Sequence, residues 1–189
     1  AKTVQPIQID RDTMAEITVL GVLGDETGTR TAQICLAHGF GDGGEQSCLL
    51  QKEAVSKLCL GVDIPYYAAM SLDGISVLND AVGGIEVTLE DDFSTLDSSM
   101  TTGTTVTLRG EQAEYYVRNR MNIGIGTSEA RNARQQDYWK KLNQKITEIL
   151  DAEDSSAFLN ELYAALEPYL TTNLSRGELI NAAWKTKDY

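Results

Sequence analysis

The sequence is poor in the residues that build the most familiar metal and nucleotide sites. It has one histidine, His38, and three cysteines without a Cys-x-x-Cys pair, so a structural zinc site is not expected. The glycine-rich segment GFGDGG is not followed by Lys-Ser or Lys-Thr, which excludes a P-loop. Gly-x-Ser-x-Gly and His-Glu-x-x-His motifs are also absent from the sequence, which excludes the familiar hydrolases and zinc proteases.

Positive charge and long apolar runs are scarce as well. The 189 residues carry 16 Lys and Arg against 28 Asp and Glu, a formal net charge of −12. Nucleic-acid binding is therefore not expected, because it needs clustered cations that replace the counterions of phosphates. No run approaches the roughly 18 apolar residues of a membrane span. No signal peptide precedes the strand-like opening KTVQPIQI. We therefore expect a fragment of a longer protein, with any export signal or anchor upstream.

What the sequence does contain is an alternation of helix, glycine and strand that is typical of a layered α/β domain. With 42% hydrophobic residues and 3 prolines, it has enough apolar side chains for one compact core. Near the N-terminus, AEITVLGVL and TAQICLA are predicted as strands, with DETGTR as the turn between them. A long helix is predicted to begin near Arg131, and the capping-box spacing SRGE predicts another at Ser175.

Two pairs of arginines lie on either side of one glycine-containing loop. Arg118 and Arg120 end one predicted helix, and Arg131 and Arg134 begin the next. A loop that folds back would bring the four side chains together, and the positive end of a helix favours an anion. Because guanidinium groups match phosphate oxygens in geometry, this arrangement indicates a phosphate site.

One of these arginines also lies on the apolar stripe of the predicted helix. Steps of three and four residues place six side chains on one face: Arg131, Gln135, Tyr138, Leu142, Ile146 and Ile149. A cation that points toward a core needs a negative partner, because an unpaired buried charge is costly. That partner is either a bound anion or an acidic side chain in a structural ion pair. Four acidic residues could form such pairs: Glu111, Glu114, Glu129 and Asp12. The residues alone leave both possibilities open.

The cysteines are equally ambiguous. Cys35 and Cys48 flank the glycine-rich segment, and Cys59 lies among apolar residues of a predicted helix. A disulfide between Cys35 and Cys48 would close a short loop and would suit an exported protein. The alternative is three reduced, partly buried thiols.

Four segments, taken in order, resemble the LytR–CpsA–Psr (LCP) domain family. They are IDRDTM, GVDIPYYAAMSLDGISVLNDAVGGIEV, LRGEQAEYYVRNR and RNARQQ. The resemblance covers roughly residues 5–150 and implies a layered α/β/α domain with a central mixed β-sheet flanked by helices. We therefore expect an LCP-like α/β domain over residues 1–151, incomplete at its N-terminus. Residues 152–189 are expected to form a helical extension packed on the same domain.

The resemblance implies a cell-wall phosphotransferase. Proteins of this family act on the outer face of the bacterial cytoplasmic membrane. There they transfer a polyprenyl-pyrophosphate-linked glycopolymer onto peptidoglycan, with Mg²⁺. The longer parent protein is therefore expected to bind polyprenyl (pyro)phosphate, peptidoglycan and Mg²⁺, and to reach the membrane through an upstream anchor. An extracellular setting also favours the disulfide between Cys35 and Cys48.

The same resemblance assigns roles to individual residues. Four arginines are expected to be catalytic: Arg11, Arg118, Arg120 and Arg131. They would hold the pyrophosphate and stabilise its charge as a phosphoryl–oxygen bond breaks. Three further residues are expected to bind substrate: Gln135, Asp12 and Arg134. The apolar stripe below Arg131 would line the prenyl chain in a lipid tunnel.

The sequence departs from the family pattern at several positions. Two aspartates and an arginine that the family carries upstream, among them its usual magnesium ligands, are missing because the chain begins too late to include them. The family's acidic residue three positions before Arg131 is Ser128, and its proline before the turn arginine is Asp10. These departures support a second hypothesis, a non-catalytic relative that binds prenyl phosphates or wall polymer. A transcriptional regulator has the least support, because no basic recognition helix is visible.

Overall fold

The computed structural model describes residues 5–152 and 155–186, and this part of the chain is a mixture of helices and short strands. The strands are β1 Met14–Leu20, β2 Glu26–Gln33, β3 Ala68–Met70, β4 Glu86–Thr88, β5 Thr105–Thr107 and β6 Leu170–Thr172. The helices are α1 Cys35–Gly39, α2 Glu45–Leu58, α3 Asp73–Ala81, α4 Glu111–Arg118, α5 Ser128–Asp151, α6 Ser155–Leu166 and α7 Arg176–Thr186. None of the described helices is long and apolar enough to cross a membrane.

The tertiary contacts divide the chain into two compact units. The first consists of Ala1–Ala69 and Leu170–Leu179, and the second of Met70–Tyr169 and Ile180–Tyr189. This division follows contacts between distant segments, whereas the boundary predicted at residue 151 follows the end of the resemblance and of the long helix. The assignment of residues 1–151 and 152–189 to a domain and an extension stays a prediction.

The first unit is built on an antiparallel hairpin of β1 and β2. Ile17 is fully buried, and it forms a small core with Ala15, Ile34, Ala37 and Ala54. The sequence-based turn was placed wrongly here: DETGTR contributes to β2, and the turn is closed by a 2.7 Å hydrogen bond from the Gly21 amide to the Asp25 carbonyl. The error has a physical cause, because β2 is exposed along almost its whole length and shows no apolar alternation.

A second strand pair lies in the same unit. The strand β3 pairs with β6, which the chain reaches only about a hundred residues later. The Thr172 hydroxyl donates to the Tyr67 carbonyl over 2.6 Å, and the Tyr67 amide donates to the Asn173 side chain over 3.0 Å. These side-chain bonds extend a pairing of only three residues per strand.

The second unit has the larger core. It is built around fully buried apolar side chains that come from the segments between β4 and α4, from the loop between α4 and α5, and from α5: Leu89, Phe93, Met100, Leu108, Ile123 and Leu142. Asn79 is also fully buried, and its amide donates to the Leu108 carbonyl over 2.8 Å and accepts from the Tyr138 hydroxyl over 3.3 Å. This buried polar residue therefore ties α3 to the segment that precedes α4 and to the middle of α5.

The predicted α/β class is confirmed. The described strands form three two-stranded sheets, however, in place of the single central mixed sheet that was expected. Four of the six strands are only three residues long. In β4 one side chain, Val87, is buried and its two neighbours are exposed, so helices and loops complete the burial that further strands would otherwise supply.

Candidate anion-binding site

The first turn of α5 is packed against the last turn of α4. The Thr127 hydroxyl caps α5 by accepting from the Ala130 amide over 3.2 Å. The Gln135 amide donates to the Val117 carbonyl over 2.8 Å, and Arg120 donates to the Ser128 hydroxyl over 3.4 Å. The positive end of a 24-residue helix therefore lies beside the end of α4, as the arginine spacing predicts.

Arg134 is a structural arginine. It is 8% exposed, its Nη1 lies 2.6 Å from an Asp91 carboxylate oxygen, and its Nε donates to the Tyr116 carbonyl over 3.1 Å. Its Nη2 donates to the Asn119 carbonyl, and the guanidinium lies over the Phe93 ring. Each of its three nitrogens therefore has a protein acceptor. The ion-pair alternative holds for this arginine, with a partner that was not among the four acids considered.

Arg131 differs from Arg134 in having an unsatisfied nitrogen. The residue is 6% exposed, yet its Nε is buried without a hydrogen-bond partner among the described residues. Within the described part of the chain, its Nη2 donates to the Asn132 side-chain oxygen at a long 3.4 Å. A buried donor without a partner costs about 1–3 kcal/mol, and more when it is charged. An anion bound at the positive end of the helix would supply the acceptor that this nitrogen lacks.

The other two arginines of this cluster are exposed. Arg120 lies beside Ser128 at the beginning of α5, one helical turn before Arg131. Arg118 forms a 2.7 Å ion pair with Glu114, four residues earlier on α4, and its side chain is 56% exposed. Glu114 was one of the four acids considered. An exposed pair of this spacing is weak, so an incoming phosphate can replace the carboxylate.

The stripe below Arg131 belongs to the core of the second unit. Tyr138 and Leu142 are buried there, and Ile146 and Ile149 pack against the same cluster. Burial raises the pKa of the Tyr138 hydroxyl, and the nearby Asp80 carboxylate raises it further. The amphipathic prediction is confirmed, while the contacts of these side chains are those of a packed core. A lipid tunnel along the stripe stays a prediction.

Arg11 and Asp12 lie in the first unit, in the turn that precedes β1. Their side chains form an exposed pair with 3.5 Å between Nε and Oδ1, and the Gln33 amide donates to Asp12 over 3.0 Å. The turn predicted from IDRDTM is therefore present, with the local ion pair that the residues themselves suggest.

The disulfide expected between Cys35 and Cys48 is not formed in this structure and stays a prediction. Cys35, Cys48 and Cys59 are all free in this structure. Cys48 is 4% exposed and faces a cavity of about 220 Å³ in the first unit, lined also by His38, Lys52 and Val55. Burial raises the pKa of the Cys48 thiol, and the carboxylates of Asp42 and Glu45 raise it further. Disulfide exchange needs a thiolate, and a raised pKa lowers the fraction of Cys48 in that form.

Sequence reasoning missed Asp91, the partner of Arg134. Its only sequence signal is a position in the acidic run EDD, just before the core residue Phe93. Asp91 also packs against Gly124, which adopts a φ of +50° and has no room for a side chain on that side. No group of three His, Cys, Asp or Glu side chains in the described ranges could hold a metal ion.

The comparisons with known proteins address the family of the chain and its fold. The sequence model of the LytR_cpsA_psr family matches residues 1–189. The chain belongs to this family. The match includes the C-terminal helices, so the resemblance does not end near residue 150 as the sequence analysis expected. A search of curated proteins finds no match to the chain.

Solved structures share the LCP fold at low identity. The gbs0355 protein of Streptococcus agalactiae is 23% identical with a TM-score of 0.72, over 95% of this chain and 59% of that one. TagV of B. subtilis is 23% identical with a TM-score of 0.66, over 96% of this chain and 64% of that one. TagT bound to LI-WTA is 18% identical with a TM-score of 0.58, over 88% of this chain and 58% of that one. The chain thus spans about three fifths of these proteins, and the likeness shows the fold alone.

Proposed function

We propose that this chain is the phosphotransferase domain of a cell-wall glycopolymer transferase. It acts at the outer face of a bacterial cytoplasmic membrane and moves a glycopolymer from polyprenyl pyrophosphate onto peptidoglycan. Membership in the LCP family supports this, as does the likeness to TagT, which has been solved with a wall teichoic acid ligand. The observation that carries the proposal is the buried, unpartnered Nε of Arg131 at the beginning of α5.

The chemistry needs charge stabilisation more than it needs a nucleophile from the protein. An acceptor hydroxyl on peptidoglycan attacks the phosphorus that bears the glycopolymer. The hydroxyl oxygen forms the new ester bond, and its proton is taken up by the departing phosphate. The bond from that phosphorus to the bridging oxygen breaks, and prenyl phosphate leaves. Negative charge grows on the leaving phosphate, where Arg131 and Arg120 donate hydrogen bonds that strengthen as the bond breaks. Arg118 also contacts this phosphate, once a phosphate oxygen has replaced Glu114 as its ion-pair partner.

Other residues position this cluster. Arg134 holds the end of α4 through the Tyr116 and Asn119 carbonyls, and Gln135 does the same through Val117. Both therefore act here as positioning residues, in place of the direct substrate contacts expected from the sequence. Arg11 and Asp12 keep their proposed roles in catalysis and substrate binding. Magnesium dependence also remains part of the proposal, but no step is assigned to the metal, because the described residues assemble no ligand cluster for it.

Calorimetric titration with a short-chain prenyl pyrophosphate tests the anion site directly. The intact chain is expected to bind in the micromolar range. Arg131→Met is expected to weaken binding at least about tenfold, because it removes the donors that a phosphate needs while keeping the apolar stem. Lys145→Met is the matched control, since it removes one positive charge from the same helix about four turns further on.

The two variants separate local recognition from net charge. A similar loss in Arg131→Met and Lys145→Met would contradict the site, since it would show a general effect of charge. Absence of binding to a folded intact chain at millimolar ligand would contradict it as well. In that case the orphaned guanidinium would have a purely structural origin.

The second hypothesis is a relative that binds prenyl phosphates without transferring them. Ser128 favours it, because it stands where the family pattern has an acid and is occupied as the acceptor for Arg120. Turnover separates the two hypotheses. Release of prenyl phosphate from a radiolabelled lipid-linked glycopolymer, with a peptidoglycan acceptor and Mg²⁺, supports the transferase. Tight binding without release supports the binding protein.

A further inference from the structure

Trp139 lies on the solvent side of α5, eight residues after Arg131. It is 59% exposed, whereas the preceding aromatic residue on the same helix, Tyr138, is 5% exposed and belongs to the core of the second unit. Neither the anion site nor the core uses the Trp139 indole. A single exposed apolar side chain is common on protein surfaces, so what distinguishes this one is its surroundings.

The exposed neighbours of this indole on its own helix are all amides. Neighbours on a helix surface lie three or four residues apart, and for Trp139 they are Gln135, Gln136, Leu142 and Asn143. Leu142 is buried in the core, and the three amides are exposed. Each amide is uncharged and has both donors and an acceptor. Together with Trp139, these three residues form a surface that we call the amide strip.

The charged side chains of this part of α5 point in other directions. Asp137 and Lys141 lie two residues before and after Trp139, on the opposite side of the helix, where they form a 2.8 Å ion pair with each other. Lys140 follows Trp139 directly and projects about 100° around the helix axis from it. The amide strip is therefore suited to a neutral ligand that is rich in hydrogen-bonding groups.

The amide strip is continuous with the anion site. Arg131, Gln135, Trp139 and Asn143 follow one another at steps of four residues, so each side chain lies beside the next on α5. The Gln135 amide donates to the Val117 carbonyl over 2.8 Å, which fixes the member of the strip that is nearest to Arg131. Trp139 lies about 12 Å beyond Arg131 along the helix axis. A group attached to a phosphate at Arg131 is therefore led toward the indole.

We propose that Trp139 and Asn143 bind the sugar chain that the pyrophosphate carries, so that the amide strip is the donor-glycan subsite. A pyranose ring has an apolar face of C–H groups that stacks on an indole, and its hydroxyls exchange hydrogen bonds with amides. A lipid surface would instead favour cations beside the aromatic ring, and a protein partner would favour further apolar side chains. The subsite rests on the proposed function, because the pyrophosphate at Arg131 sets where the sugar chain begins.

Calorimetric titration with two pyrophosphate diesters of equal charge tests the subsite. One is farnesyl pyrophosphate capped with a methyl group, and the other carries di-N-acetylchitobiose in place of the methyl group. The intact chain is expected to bind the chitobiosyl diester about tenfold more tightly than the methyl diester. Trp139→Ala is expected to lose this difference and to keep its affinity for the methyl diester. Trp139→Phe retains an aromatic face and is expected to keep part of the difference.

Two consecutive amides on α5 provide a matched pair of variants. Asn143→Ala removes the amide beside the indole and is expected to weaken binding of the chitobiosyl diester about threefold. Gln144→Ala removes an exposed amide that points about 140° away from Trp139, and it is expected to leave the affinity unchanged. An equal loss in both variants would contradict recognition by the amide strip.

Failure of the subsite and failure of the proposed function give different results. If the intact chain binds both diesters equally, or if Trp139→Ala weakens both equally, the subsite is wrong while the pyrophosphate site remains. If neither diester binds at millimolar concentration, the pyrophosphate site is absent and the subsite is wrong with it.

A free tetramer of N-acetylglucosamine tests the other source of sugar, the acceptor glycan. The tetramer has no phosphate, so it is expected to bind the intact chain and Trp139→Ala equally weakly. If Trp139→Ala loses binding of the tetramer while the two diesters bind the intact chain equally, the indole holds the acceptor and the assignment to the donor glycan is wrong.

Discussion

Arg131 and Arg134 lie three residues apart on the same helix and are almost equally buried, at 6% and 8% exposure. All three nitrogens of Arg134 meet protein acceptors, whereas the Nε of Arg131 meets none within the described residues. The difference teaches that burial of an arginine does not by itself indicate either stability or function. What matters is whether the protein supplies the acceptors, because a satisfied guanidinium holds the fold together and an unsatisfied one is available to a ligand.

The largest effect is expected from Arg134→Met. The substitution leaves the Asp91 carboxylate and two backbone carbonyls without their donor, so the free energy of unfolding should fall by about 3 kcal/mol. Chemical denaturation with a fluorescence readout measures this. In the double variant Arg134→Met/Asp91→Asn part of the loss should be recovered, since the unpaired charge is gone. A single variant as stable as the wild type would show that Arg134 is not a structural arginine.

A smaller loss is expected from Gly124→Ala, which attacks the same ion pair from the other side. The new methyl group overlaps the Asp91 carboxylate, and the φ of +50° already disfavours a side chain. Since Asp91 cannot move without leaving Arg134, we expect a loss of about 2 kcal/mol in unfolding free energy. Gly103→Ala is the control, because it also has a positive φ but meets no atom within 4 Å. Equal losses in the two variants would leave only backbone strain as the cause.

Arg131→Met is expected to change ligand affinity more than stability, whereas Arg134→Met is expected to lower stability. Its unfolding free energy should stay within about 1 kcal/mol of the wild type, because an apolar side chain of similar length replaces a donor that has no partner. Pyrophosphate affinity should nevertheless fall about tenfold, which corresponds to about 1.4 kcal/mol. Thermal denaturation with and without inorganic pyrophosphate measures both quantities on one sample. A large loss of unfolding free energy in the absence of ligand would contradict this, since it would show that Arg131 stabilises the fold as Arg134 does.

The smallest of these effects is expected at the helix cap that serves both arginines. Thr127→Ala removes the acceptor for the Ala130 amide and should lower the unfolding free energy by about 1 kcal/mol. Thr127→Ser keeps the hydroxyl and should remain close to the wild type. Because the cap orients the beginning of α5, pyrophosphate affinity should fall with it. A change in stability without any change in affinity would mean that Arg131 does not depend on the helix end.

Much of the fold could be predicted from local patterns. The capping box at the start of α7 is present as predicted, with the Ser175 hydroxyl and amide both donating to Glu178. The helix α5 begins at Ser128, three residues before the arginine used to predict it. These elements depend on neighbours within one or two turns, and such neighbours are visible in the sequence. The turn of the β1–β2 hairpin was misplaced because β2 has no apolar face that would show where the strand begins.

The partners of the arginines could be predicted only in part. The i,i+4 spacing on α4 does predict the pair of Arg118 with Glu114. Asp91, by contrast, lies 43 residues before Arg134, and nothing in its local sequence selects it over the other acids. The environment of the cysteines was likewise not predictable from local sequence. Their spacing permits a disulfide, but the packing of Cys48 into an apolar cavity was not visible.

The sequence by itself determined the α/β class, the long amphipathic helix, the arginine cluster at its positive end and the resemblance to the LCP family. These features rest on periodicity, capping and residue order, which act over a few residues. Only the tertiary structure decided which buried arginine is satisfied and which is not. That decision depends on where the chain returns after tens of residues, since a guanidinium is satisfied by whatever acceptors the fold brings within 3 Å or so of its nitrogens.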